Sequence, residues 1–155
     1  GILRLPSARV QDQTASVPGV DSLKMSKSYD NTIDLFADDA ATKKKVMSIK
    51  SDSTPMESPK DPNANSIHAL LSLFANEADM AEINRSYREG GKGYGHYKLQ
   101  LLELFHAHFD PARARRKQLE SDLQFVENVL KDGAERARKT AAPIIDQCRR
   151  AVGMR

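Results

Sequence analysis

Tryptophan is absent from the 155 residues, cysteine occurs once, and aromatic residues make up only 6% of the chain. A single cysteine, Cys148, excludes an intramolecular disulfide framework and a cysteine-based zinc site, a pattern that goes with a reducing compartment and a cytoplasmic location. The four histidines (His68, His96, His106, His108) include no pair four residues apart, so no metal site is expected from them. No apolar run approaches the ~18 residues of a membrane span, and no signal peptide is recognisable. Leu, Ile, Val and Phe together number 33, only a little above the level at which disorder becomes the default. The residues present in their place are helix formers: 18 Ala, with Leu, Lys, Arg, Glu and Gln plentiful. Few strand formers remain, which argues against a sandwich, a barrel or a large parallel sheet.

Net charge is only +3, but it is unevenly placed. Residues 1–50 carry 8 Lys/Arg against 6 Asp/Glu, residues 51–110 carry 5 against 9, and residues 111–155 carry 11 against 6. The basic last third is compatible with an anionic partner, and equally with solvated helix faces.

Helical periodicity is clear from Ile67 onward. Ile67, Leu70, Leu71 and Phe74 fall on one face behind Asn65 or Ser66 as N-cap. Met80, Ile83 and Tyr87 continue in a second helix that must stop at Gly90-Gly91. Tyr97, Leu101, Leu104, Phe105 and His108 form a third stripe, after which Asp110-Pro111 supplies a cap and a first-turn proline for a new helix. Ser121-x-x-Gln124 reads as a capping box ahead of Phe125, Val126, Val129 and Leu130. The last stripe, Ala134 to Val152, carries Pro143 as a kink and places Cys148 among packed core residues. An antiparallel helical domain follows from five or six such helices.

Residues 1–66 differ. Gly1 and the apolar Ile2-Leu3-Arg4-Leu5 read as a start in mid-fold, with a short strand at Ile2–Leu5. Gln11 to Asn31 is rich in Ser, Asp, Gly and Pro and reads as loop. A lysine-rich helix containing Lys43-Lys44-Lys45 spans about Asp38 to Ile49, with Asp38 or Asp39 at its positive end. Residues 51–65, with Pro55, Pro59 and Pro62, form an extended connector.

Inside the first loop lies Lys24-Met25-Ser26-Lys27-Ser28. Two ammonium groups three residues apart, interleaved with hydroxyls, are suited to gripping phosphate oxygens: lysine supplies point charge, while hydroxyls and turn N–H groups supply direction. A solvated polar loop has the same composition. Pro18-Gly19 is a candidate hinge, and Asp52-Ser53 is either a turn or a support for the loop.

The Lys24–Ser28 run resembles the signature loop of class I aminoacyl-tRNA synthetases. KMSKSYDNTIDL (24–35), Lys44-Lys45, Ser51-Asp52-Ser53, Gly90-Gly91-Lys92-Gly93-Tyr94-Gly95, Pro111-x-Arg113, Asp132-Gly133-Ala134 and Ala151-Val152-Gly153 are similar, in order and spacing, to the tryptophanyl-tRNA synthetase family. The Gly-Lys-Gly-Tyr-Gly segment argues against the tyrosyl enzymes, the alternative within the class. A free-standing helical RNA-binding module is the alternative outside it.

The resemblance implies a mainly α C-terminal piece. Residues 1–36 would be the tail of a Rossmann-like catalytic domain, and residues 37–155 an α-helical tRNA- and anticodon-binding domain. It implies ATP-dependent activation of L-tryptophan to tryptophanyl-adenylate and transfer to tRNA(Trp), with Mg²⁺ carried on the ATP phosphates. Lys27, assisted by Lys24, would stabilise charge on the departing pyrophosphate. Ser26 and Ser28 would bind phosphate oxygens, and the Met25 backbone and Val10 would lie near the adenine. Arg113, Arg115, Arg116, Arg136 and Lys139 would be the tRNA contacts, with Lys117 and Arg138 beside them. Family members are homodimers. The His-x-Gly-His partner motif is absent, and Gly93-Tyr94-Gly95-His96, between two helices, is no substitute. The tryptophan-binding half is also absent, so the chain alone is expected to be inactive.

Overall fold

The computed structural model describes residues 2–11 and 14–154. Sequence expectations that touch Gly1, Asp12 or Gln13 lie outside these residues.

Short polar side chains decide where the helices begin. The Asp38 carboxylate accepts from the Ala41 N–H (2.7 Å) and opens α1 (Asp39–Met47). Asn65 accepts from the Ile67 and His68 N–H groups and opens α2 (Ser66–Leu71). Asn76 accepts from Asp79 and opens α3 (Glu77–Glu89). Tyr94–Glu120 is α4, and Leu123–Ala151 is α5. The α5 cap is Asp122, whose carboxylate accepts from the Phe125 N–H (3.0 Å). The expected Ser121 box does not form, because the Ser121 hydroxyl instead donates to the Gln118 carbonyl at the end of α4 (2.7 Å).

The strand expected at Ile2–Leu5 is not present, and the described residues contain no strand, only a single antiparallel bridge between Pro18 and Lys24. A strand exists through pairing, and this segment has no pairing partner among the described residues; Leu5 is 97% exposed.

The break expected at Asp110-Pro111 is also absent. Pro111 lies inside α4, where its missing N–H and ring typically cost about 3 kcal/mol. Side-chain contacts span the proline: Asp110 meets His106 one turn before it (3.1 Å) and Arg113 after it (3.0 Å). Phe105 and Phe109 pack with Phe74 on the same stretch. α5 likewise joins the Phe125–Leu130 and Ala134–Val152 stripes, which read as separate helices, into one helix that also contains Pro143.

The described residues divide into two compact units. One is Val10–Arg113; the other takes the described residues up to Arg9 and those from Ala114 onward. The core of the first is Val46 and Ile49 from α1 and its end, Ile67, Leu70 and Leu71 from α2, Ile83 and Tyr87 from α3, and Tyr94, Tyr97, Leu101 and Phe105 from α4. Tyr87 and Tyr97 pack with their rings tilted by 43° at 4.2 Å between centroids, and Tyr97 shares a hydrogen bond with Ser86 (2.8 Å). The connector 51–65, expected to be extended throughout, is broken by turns at 56–57, closed by the Ser58 N–H donating to Pro55 O (3.2 Å), and at 63–64, and it is tied down by Lys60. Its buried ammonium donates to the carbonyls of Pro55, Met56 and Ser58, and its N–H to Tyr87 O. In the second unit no residue of α5 is buried, and Cys148 is only half-buried. The expectation of a packed core cysteine is therefore corrected: among the described residues, its stripe has no covering layer.

Two glycines have opposite roles. Gly90 ends α3 at φ 77°, and a side chain there would run into the Glu57 backbone. Gly133 sits within α5 with open space around it. Gly90→Ala is expected to destabilise the Val10–Arg113 unit by about 2 kcal/mol or more. Gly133→Ala is expected to stabilise α5 by about 0.5–1 kcal/mol. Urea unfolding of the two variants checks both signs.

Candidate functional site

The lysine motif sits on a built turn. From Val17 to Met25 the chain doubles back on itself: Gly19 N–H donates to Leu23 O (2.7 Å), Met25 N–H to Val17 O (2.8 Å), and Ser22 occupies the left-handed region at φ 71°. The Asp21 carboxylate accepts from the Leu23 N–H (3.0 Å), an Asx turn. Ser26 then caps a short 3-10 turn, Lys27–Tyr29, with its hydroxyl accepting from the Ser28 N–H (3.3 Å). Asp30, at φ 48°, closes it.

Asn31 holds these pieces together. It is 2% exposed in a segment whose other residues are mostly solvated. Its side-chain oxygen accepts from the Ser26 N–H (2.7 Å), and its NH₂ donates to the Asp21 carboxylate (2.8 Å) and to Lys24 O (3.1 Å). Its backbone carbonyl accepts from the Val20 N–H (2.9 Å). The bond from Asn31 is the leading cause that holds the Asp21 pKa below its ordinary 3.8.

Gly19 is buried against this amide, and a Cβ there would lie 2.5 Å from Asn31 Cγ. Pro18-Gly19 is thus a locked turn and does not fit the hinge expected from its composition. In the sequence Asn31 is only the end of a polar loop and Asp21 carries no signal, since a buried amide in a polar loop leaves no periodic pattern.

The turn is fastened to the helices at several points. Lys50 N–H, beyond α1, donates to Val20 O (2.7 Å), and Lys45 Nζ, on α1, donates to Asp30 O (2.7 Å). Met25 joins Val17, Ile33, Val46, Leu70 and Phe105 in lining an apolar cavity of about 120 Å³. Its side chain therefore anchors the motif to the core.

What remains for chemistry is narrow. The N–H groups of Ser26, Ser28, Tyr29 and Asp30 are all engaged within the turn. Lys24 and Lys27 are exposed, and among the described residues their ammonium groups make no hydrogen bond or ion pair. The Ser28 hydroxyl and the Lys27 N–H are likewise uncommitted there. Two cations on a preset backbone, with a hydroxyl beside them, suit a polyanion. Val10 is 68% exposed.

The basic residues separate by environment. Arg113 has a side chain only 13% exposed, bonded to Asp39 and Asp110 (3.0 Å each), to His106 (3.2 Å) and to the Ala37 carbonyl. It clamps the start of α1 to α4 through both of its terminal nitrogens. Arg115 bonds Gln118 and lies over the Phe125 ring, and Arg116 pairs with Glu120 (2.7 Å). Arg136 and Lys139 are exposed, one turn apart on α5. Asp52 accepts from the Tyr94 hydroxyl (2.9 Å) and the Thr54 N–H (2.8 Å). Those bonds, led by Thr54, lower its pKa, and they make it a turn and an anchor for the start of α4.

No family model matches the chain. Individual relatives do. A tryptophan–tRNA ligase from Rhodopirellula baltica is 46% identical over 151 residues, which is 97% of this chain and 47% of that protein. One from Fusobacterium nucleatum is 41% identical over 97% of this chain and 46% of its own length. A crystal structure of tryptophanyl-tRNA synthetase from Campylobacter jejuni complexed with ADP and tryptophan superposes with a TM-score of 0.84. It is 40% identical over 99% of this chain and 48% of that one. The chain thus spans about half the length of the relatives it matches. The resemblance carried by Lys24–Ser28 is to tryptophanyl enzymes along the chain, and the helical fold is theirs.

The Asp21–Asn31 bond makes the turn sensitive to acid. Because the folded Asp21 pKa lies below its ordinary 3.8, the bond contributes fully above that value and is lost as pH falls through the lower folded value. Protection of the Ser26 amide, its exchange rate relative to the intrinsic rate at each pH, is expected to hold from neutral pH down to about 4 and to fall below it. NMR exchange rates across that range check the window.

Proposed function

We propose that this chain, homologous over 97% of its length to tryptophan–tRNA ligases, is the signature-loop and tRNA-binding portion of such an enzyme. The whole protein would activate L-tryptophan with ATP to tryptophanyl-adenylate and transfer it to tRNA(Trp). The observation that carries the reading is the pair Lys24 and Lys27: two ammonium groups with no partner among the described residues, on a backbone held by Asn31.

In activation the tryptophan carboxylate attacks the α-phosphorus, and negative charge builds on the departing β,γ-phosphates. Cations aimed at that charge act more strongly in the transition state than in the ground state. Lys27 fills this role with Lys24 assisting, and the Ser28 hydroxyl adds a directional donor. Ser26 differs: its N–H is held by Asn31 and its hydroxyl caps the turn, so it shapes the loop and meets phosphate through its hydroxyl alone. Mg²⁺ would come with the nucleotide and supply charge neutralisation at its phosphates; the ammonium groups of Lys24 and Lys27 are not ligands for it, and the Ser28 hydroxyl is the oxygen donor the loop could offer. The backbone at Met25 and the exposed Val10 remain the adenine-side candidates. The bound ADP and tryptophan of the Campylobacter jejuni relative support a nucleotide site in enzymes of this kind.

The functional division stays at residue 36, with the loop before it serving activation and the helices after it serving tRNA. Arg115, Arg116, Arg136 and Lys139 are the phosphate-contact candidates, since such contacts supply affinity and position. Arg113 serves as the clamp that keeps α1 on α4. Among the described residues no helix is long and apolar enough to cross a membrane. A cytoplasmic homodimer is the expected setting of the whole enzyme. On its own the chain lacks a His-x-Gly-His motif and is expected to give no tryptophan-dependent pyrophosphate exchange.

Titration of the chain with inorganic tripolyphosphate, followed by amide shifts of residues 24–28, tests the loop assignment. Lys27→Ala and Lys24→Ala are each expected to weaken binding roughly five- to tenfold, as loss of one exposed charged contact implies. Lys131→Ala, at an exposed position of α5, is expected to leave the affinity unchanged. Equal binding by all three variants would remove the phosphate role.

A further inference from the structure

We infer that Asn31 is a positioning residue for the signature loop: its amide sets the backbone from which Lys24 and Lys27 engage a polyphosphate together. The inference rests on the phosphate reading of the loop.

The amide makes three side-chain hydrogen bonds, and their endpoints bracket the motif. It donates to Lys24 O and accepts from the Ser26 N–H, so the residue between them, Met25, is pinned at both of its peptide planes. Met25 turns its side chain to the apolar cavity shared with Val17, Ile33 and Leu70. In extended backbone, neighbouring side chains point to opposite sides, so an inward Met25 sets Lys24 outward. Ser26, held through its N–H, starts the 3-10 turn that carries Lys27 and Ser28. One buried group thus controls the exit direction of both lysines.

Only an asparagine meets the requirements at this point. The site needs an acceptor for Ser26 and two donors, for Asp21 and Lys24 O, on one short planar group. Aspartate has the acceptor but no donors and would face the Asp21 carboxylate. Glutamine is one methylene too long for a space so tight that a Cβ added at Gly19 would lie 2.5 Å from Asn31 Cγ. Asp21 in turn is held by the Leu23 N–H, so the amide is braced on both sides. Asn31 is nearly fully buried and does not reach a bound phosphate itself; it acts through the lysines. Holding two cations in a bound-like arrangement before the ligand arrives removes an ordering cost from binding.

The test uses the 155-residue chain, inorganic tripolyphosphate as the probe, and three readouts: affinity, hydrogen exchange at the Ser26 amide, and the thermal midpoint. Asn31→Ala is expected to weaken tripolyphosphate about tenfold with both lysines intact, comparable to losing one of them. The Ser26 amide should exchange rapidly, while the midpoint of the helical core moves by only a few degrees. A purely structural role would lower the midpoint and leave the affinity of the folded fraction unchanged. Should Asn31→Ala fail to fold, Asn31→Asp, of the same size, carries the same expectation, and adding Asp21→Asn should recover part of the affinity by removing the facing charge. Wild-type affinity in folded Asn31→Ala or Asn31→Asp, alongside weakened Lys27→Ala, overturns this inference and leaves the phosphate reading standing. No binding by the unmodified chain overturns both.

Discussion

A buried amide without alternatives is the constraint on which this structure turns. Asn31 sits almost out of water in a polar segment, and both of its amide hydrogens and its side-chain oxygen are engaged with groups of the turn. An unmade hydrogen bond at such a place typically costs about 1–3 kcal/mol, more than an ordinary one contributes when made. The loop therefore has one low-energy arrangement in which the amide is satisfied. Exposure of Lys24 and Lys27 follows from it, since the N–H groups of Met25, Ser26, Ser28, Tyr29 and Asp30 are spent within the turn, and the two ammonium groups, the Ser28 hydroxyl and the Lys27 N–H are left to face a ligand.

The helices give that arrangement something to stand on. Lys45 and Lys50 tie α1 and its exit to the turn, while Met25 and Val17 reach the apolar interior shared by α1, α2 and α4. The same α1 is fixed at its start by the Arg113 clamp and at its end by Lys98, whose buried ammonium donates to Met47 O. Burial lowers the Lys98 pKa, and the carbonyls at the end of a helix are a favourable place for its charge. A lysine pair on a floppy tether would have to be ordered by each ligand; here the order comes from the core of the unit.

Much of this was legible in the sequence where the signal is local or periodic. Asp38 and Asn65 were readable as caps because a short acceptor ahead of a helical stripe has one main use, and Gly90 as a stop because its backbone conformation excludes most side chains. The stripes at Ile67–Leu71 and Tyr97–Phe105 are the core as observed. Pro111 misled because its cost is offset by contacts among His106, Asp110, Arg113 and the phenylalanines, none of which a local rule weighs. Arg113 looked like its basic neighbours until Asp39 and Ala37, more than seventy residues earlier, were seen to bind it. Asn31 was hidden for the same reason: its partners are close in sequence, but its burial depends on Gly19 and the helices beneath.

The central claim is that the lysine turn of this chain supplies pyrophosphate stabilisation to a tryptophan–tRNA ligase. Its most direct test mixes the chain with the separately expressed complementary half of such an enzyme and measures tryptophan-dependent ATP–pyrophosphate exchange. The account predicts no exchange by the chain alone, exchange on mixing, and a drop of about 10²–10³-fold when the chain carries Lys27→Ala. Exchange that is undiminished by Lys27→Ala would contradict it.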